Sequence, residues 1–225
     1  DSDRSRLRGA RMKVPRILLV EGKTEQFTLP ELAELAGFPW ERGGKRHVEI
    51  RACGSDAEVL GDLKTALKSK VEAIGVVLDA DSDAPARWAA VNAVYAASDV
   101  YGGQTLVPTA EGAVALSDGF GVPFRFGAWV MPDNFAAGML EDLVLTMCNE
   151  NPKLRKHCEE AVVRANALGA TFKHPLHRAK ALTHTWLAWV DEPGTLINHA
   201  VKHGKLGAPP PSVQHFAKWM STLFG

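Results

Sequence analysis

The sequence predicts an α/β protein in which a parallel sheet flanked by helices is continued by an all-helical extension. Three observations lead there. Two apolar runs, Ile17-Leu-Leu-Val20 and Ala73-Ile-Gly-Val-Val-Leu-Asp79, lack helical periodicity and suit strands buried on both faces. Stretches with helical patterning and capping signals alternate with these strands through short connections, an order that specifies right-handed parallel crossovers. After Asn151 the patterning is helical only.

The elements follow in order. A strand at residues 16–20 runs into Glu21-Gly22-Lys23-Thr24-Glu25, where Gly22 suits a tight turn and Thr24 an N-cap for a helix to residue 36. Pro39 and Gly43-Gly44 mark a loop before an alternating strand at 47–52. Ser55 with Glu58 forms a capping box for a helix to about residue 70, which makes Asp56 a helix-start residue. The strand ending at Asp79 comes third, and a helix over 84–98 follows with Trp88, Val91 and Tyr95 on one face. Residues 99–122 are Gly-rich and read as irregular, with a small hairpin around 112–116 and Phe120. A strand at 123–131 and a helix at 138–147 complete the α/β part. The extension supplies helices at 154–168, 175–190, 195–201 and 212–224, the last set off by Ala-Pro-Pro-Pro at 208–211. The expected organisation is a flexible arm (1–13), an α/β domain (14–150) and a helical extension (151–225).

Composition gives a globular protein of ordinary apolar and charged content. No segment has the length of a membrane span and no signal-peptide pattern opens the chain. The three cysteines, Cys53, Cys148 and Cys158, form no CxxC pair, so a reducing, cytoplasmic setting is expected. Lys plus Arg equals Asp plus Glu at 26 each, but the balance is uneven along the chain. Residues 17–150 carry ten basic against twenty acidic side chains, and residues 151–225 ten against four. Seven of the eight histidines also follow residue 150. A carboxylate metal centre with a separate polyanion-holding surface would have this distribution, and so would solvated helix faces.

The chemistry concentrates at strand ends. Ligand crevices in open α/β sheets lie at the carboxyl ends of strands, and side chains two apart on an extended chain share a face. Asp79 and Asp81 are therefore expected to converge, and converging carboxylates share a proton or hold a hard cation such as Mg²⁺ or Mn²⁺. The competing reading is that Asp81 or Asp83 caps the helix that starts near Ala84-Pro85. Glu21 also closes a strand, whereas Glu25 has the ordinary explanation of a first-turn acid. Glu141 is either a further acid aimed at the crevice or a solvent-facing helix residue. Arg178 and Lys180 read as a solvated basic face, and Trp186, Trp189 and Trp219 as packing, with base stacking as the alternative. The His174/His177 and His199/His203 pairs lack the companions of a zinc site.

Glu-Gly closing a first strand and Asp-x-Asp closing a later one resemble the Toprim domain of topoisomerases, bacterial primases and OLD-family nucleases, over residues 14 to 145. Leu-Val-Glu-Gly-Lys-Thr-Glu at 19–25, Val-Val-Leu-Asp-Ala-Asp at 76–81, Trp-Val-Met-Pro-Asp-Asn at 129–134 and Met-Leu-Glu-Asp at 139–142 look like a DUF3226-type Toprim protein. That likeness continues into the tail through Ala179-Lys-Ala-Leu and His184-Thr-Trp-Leu-Ala-Trp189. The resemblance implies a Toprim-like Rossmannoid sheet and a site in which Glu21, Glu25, Asp79, Asp81 and Glu141 hold Mg²⁺ or Mn²⁺. Glu21 and Lys180 would serve the reaction, with Glu25 standing where the usual residue is Asp. It further implies hydrolysis of nucleic acid phosphodiesters, DNA ahead of RNA. A non-catalytic nucleic-acid or nucleotide-binding module that works with an ATPase partner, in phage defence, is the alternative. No ATPase head and no topoisomerase-type tyrosine accompany the motifs, since Tyr95 and Tyr101 lie inside the domain.

Overall fold

A computed structural model of the chain describes residues 15–42, 45–102, 104–148 and 150–225. The arm expected at 1–13 and the loop glycines Gly43-Gly44 lie outside the described residues. Strand β1 (Arg16–Val20) leads to α1 (Lys23–Leu35), then a short ribbon of β2 (Glu41–Arg42) and β3 (Lys45–Arg46), and β4 (Glu49–Ala52). Next come α2 (Asp56–Ala66), β5 (Ala73–Asp79), α3 (Ala84–Ala96), β6 (Ala113–Gly119), β7 (Val122–Met131) and α4 (Leu140–Leu145). Helices α5 (Pro152–Ala167), α6 (Arg178–Leu187), α7 (Ile197–Lys202) and α8 (Pro211–Phe224) complete the chain.

The five-stranded sheet has the order β4-β1-β5-β7-β6. Its first four members are parallel, as the alternating order requires, and β6 is antiparallel to β7. The sheet is therefore mostly parallel. The irregular segment expected at 99–122 contains a full edge strand, because residues 113–119 pair in register with 122–128 of β7. Its weak apolar alternation reflects an edge position, with Ala113 and Ala115 buried and Leu116 exposed.

Period-two alternation along the central strands divides the core between two faces. Ile17 and Leu19 of β1, with Ile74, Val76 and Leu78 of β5, pack against Val59 and Leu63 of α2 and Trp88 and Val91 of α3. Leu18 and Val20, with Ala73 and Val77, face Leu29 and Leu32 of α1, Leu143 of α4, and Phe216 and Met220 of α8. The helices beyond residue 151 are continuous with this second core. Leu182 and Trp186 of α6 and Val201 of α7 belong to it, and Trp219 Nε1 of α8 donates to the carbonyl of Ala113 at 3.2 Å. Trp186 and Trp219 are thus packing residues, whereas Trp189 is exposed and stacks on His157.

Helix starts shift from expectation in α1 and in α4 to α8, and two of these shifts bear on the site. The N-cap of α1 is Gly22 in an extended conformation, not Thr24. Helix α6 begins at Arg178 rather than 175, after a turn in which the His177 N–H donates to the Lys173 carbonyl at 2.6 Å.

Candidate metal centre

The site forms where β1 and β5 end side by side. Val20 pairs with Val77, so the next residues of each strand reach the sheet's carboxyl edge together. There Glu21 Oε1 accepts a hydrogen bond from the Asp79 N–H at 2.8 Å. Strand alternation puts Glu21 in phase with Ile17 and Leu19, toward α2 and α3, and Asp79 in phase with Ala73 and Val77, toward α1 and α4. The carboxylates divide accordingly into two groups on either side of the sheet.

On the α1/α4 side, Asp79 is 9 % exposed, Glu25 8 % and Glu141 2 %. Water therefore cannot screen their charges. Burial, followed by the charges of Glu21, Glu25 and Glu141, pushes the Asp79 carboxyl up to about 8, although the Leu140 N–H donates to its Oδ1 at 3.0 Å. Burial also raises Glu141, opposed chiefly by the positive charge of Lys180 on α6, and Glu141 Oε2 has no hydrogen-bond partner. Glu141 is thus a buried acid of the crevice and Lys180 the exposed cation facing it. Gly22 serves this group through space rather than through a special φ. Its backbone is extended, and a Cβ there would stand 2.8 Å from Glu25 Oε2. The next acid, Asp142, is raised by burial and takes up the Met139 N–H at 2.9 Å, with Arg178 and Arg155 acting on it as nearby cations. Arg178 thus acts on the crevice wall through its charge alone.

On the α2/α3 side, the competition between cap and ligand is resolved for Asp83, whose Oδ1 accepts the Ala86 N–H at 2.9 Å. Asp81 is left for other work. It does not continue the extended strand, since β5 ends at Asp79 and Asp81 has φ +52°, so the expected same-face convergence along a straight strand does not occur. Its backbone pairs with Gly138 in both directions, at 2.9 and 2.8 Å. Its Oδ2 accepts from Arg87 Nη2 at 2.7 Å, while Arg87 Nη1 pairs with Asp56 and Nε donates to the Asp79 carbonyl at 3.1 Å. Glu21 is raised by burial, opposed by the Asp79 N–H, and feels the charges of Asp81, Arg87 and Asp56 in turn.

A family model described as "Protein of unknown function (DUF3226)" matches residues 15–225. The chain belongs to the DUF3226 family. No curated protein and no solved structure matches it. The DUF3226 match runs from β1 through α8, so both carboxylate groups and the helix bearing Lys180 fall within one family unit. Among the described residues no helix is long and apolar enough to cross a membrane.

Three residues of this DUF3226 site have roles that the sequence motifs do not assign. Arg87 is the sole charged residue in the Ala-Pro-Ala-Arg-Trp-Ala-Ala-Val-Asn-Ala-Val-Tyr-Ala helix, a signal that could have marked it. Asp56 starts a helix, as its sequence indicates, and in addition meets Arg87. Asn134, buried with φ +77°, holds the turn after β7. Its Oδ1 accepts from the Val130 N–H at 2.8 Å, its Nδ2 donates to the Thr109 carbonyl at 3.1 Å, and its carbonyl accepts from Trp88 Nε1 at 3.0 Å. That turn delivers Gly138 to Asp81.

Donor chemistry in the α1/α4 group is all carboxylate oxygen, which suits a hard divalent cation. Glu141 Oε2 is buried without a partner, and burial together with the neighbouring acids favours the protonated form of Asp79, the response expected of carboxyls brought together without a cation among them. Among the described residues, no three His, Cys, Asp or Glu side chains stand close enough as placed to hold an ion.

Proposed function

We propose that this protein hydrolyses phosphodiester bonds of nucleic acid, DNA ahead of RNA, with Mg²⁺ or Mn²⁺ as cofactor. The observation that carries the reading is the gathering of Glu21, Asp79, Glu25 and Glu141 at the carboxyl ends of β1 and β5, with Asp79 raised to about 8 by that company. Such an arrangement is costly without a cation and useful with one. The ordered motifs that resemble Toprim and OLD-family nucleases support the same chemistry.

A divalent ion held by Asp79, Glu25 and Glu141 would supply charge relief at the scissile phosphate and a more acidic water. Glu21 holds the Asp79 main chain in place and keeps a half-buried carboxylate at the junction of the two groups, where it would take a proton from the attacking water. Lys180 brings a positive point charge from α6 to the rim beside Glu141, suited to an oxyanion as negative charge develops. The basic side chains after residue 150 would hold the substrate backbone, so affinity should fall steeply with salt.

Incubation of supercoiled and linear DNA with Mg²⁺ or Mn²⁺ tests the proposal, comparing the native chain with Asp79→Ala, Glu21→Ala and Lys180→Ala. Metal-dependent cleavage that disappears in Asp79→Ala is expected, and cleavage undiminished in that variant would overturn the metal mechanism. Cation-dependent binding of DNA without cleavage, together with co-purification of an ATPase, would instead identify a non-catalytic module of a larger assembly.

A further inference from the structure

We infer that Arg87 is a resident cation that fills the α2/α3 half of the carboxylate crevice, so that the chain binds a single divalent ion, on the Asp79 side. This rests on the metal-dependent reading above and narrows it.

The two halves hold similar numbers of carboxylates but differ in what compensates them. In the α2/α3 half, the Arg87 guanidinium sits among Asp56, Asp81 and the Asp79 carbonyl, and uses Nη1, Nη2 and Nε for one hydrogen bond each. Guanidinium keeps its proton at any working pH, and its planar fork matches carboxylate geometry. The Arg87 side chain is 24 % exposed and its Asp56 and Asp81 partners 36 % and 35 %, so the guanidinium is half-buried while the carboxylates stay in contact with solvent, and its hold rests on three simultaneous hydrogen bonds more than on unscreened charge. A divalent ion entering there would break three hydrogen bonds and meet a fixed positive charge at close range, where repulsion is strong.

Among the described residues, no cation hydrogen-bonds to Asp79, Glu25 or Glu141. The positive charge of Lys180, a flexible amine on an exposed side chain, acts on Glu141 without an ion pair, and a buried carboxylate oxygen of Glu141 remains without a partner. Asp79 contributes its carboxylate to this half and only its carbonyl to the other. Asp81, although part of the Asp-x-Asp motif, is thereby committed to Arg87 and acts as its anchor rather than as a ligand of the ion.

Equilibrium binding of Mn²⁺ to the full chain, read from the electron paramagnetic resonance signal of free Mn²⁺, tests the inference without any activity measurement. The native chain should bind one ion, Arg87→Lys one, and Arg87→Met two. Asp79→Asn should weaken the single site by about 10–100-fold, while Asp81→Asn should change it by less than about 3-fold. Two ions in the native chain would overturn the inference and leave the metal reading standing, whereas no ion would sink both. A single ion in an Arg87→Met chain of native circular dichroism would also overturn it. Should Arg87→Met fail to fold, the native count and the Asp79→Asn against Asp81→Asn contrast decide alone, and a site lost in Asp81→Asn but kept in Asp79→Asn would reject the inference.

Discussion

The main-chain N–H of Asp79 donates to Glu21 Oε1 at 2.8 Å, so a side chain from one strand satisfies the last donor of its parallel neighbour. Glu21 thus has a structural role separable from its charge. Glu21→Gln retains a carbonyl oxygen for the Asp79 N–H and should leave stability within about 1 kcal/mol while abolishing metal-dependent cleavage. Glu21→Ala strands that N–H and should cost about 1–3 kcal/mol in urea denaturation as well.

Asp79 gives the metal-free protein a distinctive pH response. Its carboxyl titrates near 3.8 unfolded and about 8 folded. Between those values the native chain keeps a proton that the unfolded chain has released, so stability falls as pH rises through the window and levels off above it. Asp79→Asn still accepts the Leu140 N–H and should remove most of this slope, raising Tm at pH 8 without metal by roughly 5–10 °C. Mn²⁺ should raise Tm at pH 8 in the native chain and raise it much less, at the same concentration, in Asp79→Asn. Thermal scans from about pH 5 to about pH 9, spanning the folded-state value of about 8, would reveal both effects.

Gly138 has φ +143°, and a Cβ there would lie 2.8 Å from Asp142 Oδ2 and 3.2 Å from Pro132 Cδ. Gly138→Ala should therefore disturb the backbone pairing with Asp81. We expect a loss of about 1–3 kcal/mol, in the range for strained backbone at a non-glycine residue, accompanied by reduced cleavage. Chemical denaturation and a cleavage time course on the same preparation would measure the two together.

Lys180 is exposed and contributes charge rather than packing. Lys180→Met should leave Tm nearly unchanged and lower the cleavage rate by about 10²-fold, the scale of losing one electrostatic stabiliser of a transition state. Equal rates for Lys180→Met and the native chain under single-turnover conditions would remove Lys180 from the reaction.

Strand ends were the legible part of this molecule. The apolar runs of β1 and β5 and the alternating order put Glu21 and Asp79 at one sheet edge by local pattern alone. Arg87 and Asp56 were harder, because each has a sufficient local explanation on its own helix. Only the packing of α2 beside α3 on one face of the sheet turns them into partners. The edge strand β6 was obscured for a related reason. Its Gly-rich surroundings and exposed Leu116 weaken its pattern, and its identity depends on the partner β7. Thr24 looked like a cap by residue type, yet the helix opens at Gly22, where a Cβ would require the Glu25 carboxylate to move.

The alternation of side chains along β5 also makes the strand a partition. Asp79 looks onto one side of the sheet and the Arg87 network occupies the other, and the two meet where Arg87 Nε donates to the Asp79 carbonyl and where Glu21 accepts the Asp79 N–H. Substitutions of Glu25 and Asp56, which share neither bond, should combine as independent events, whereas pairs drawn from Glu21, Asp79 and Arg87 should not. Selection could therefore remodel the outer wall of either chamber, while Asp79 and Glu21 remain the positions through which each must accommodate the other.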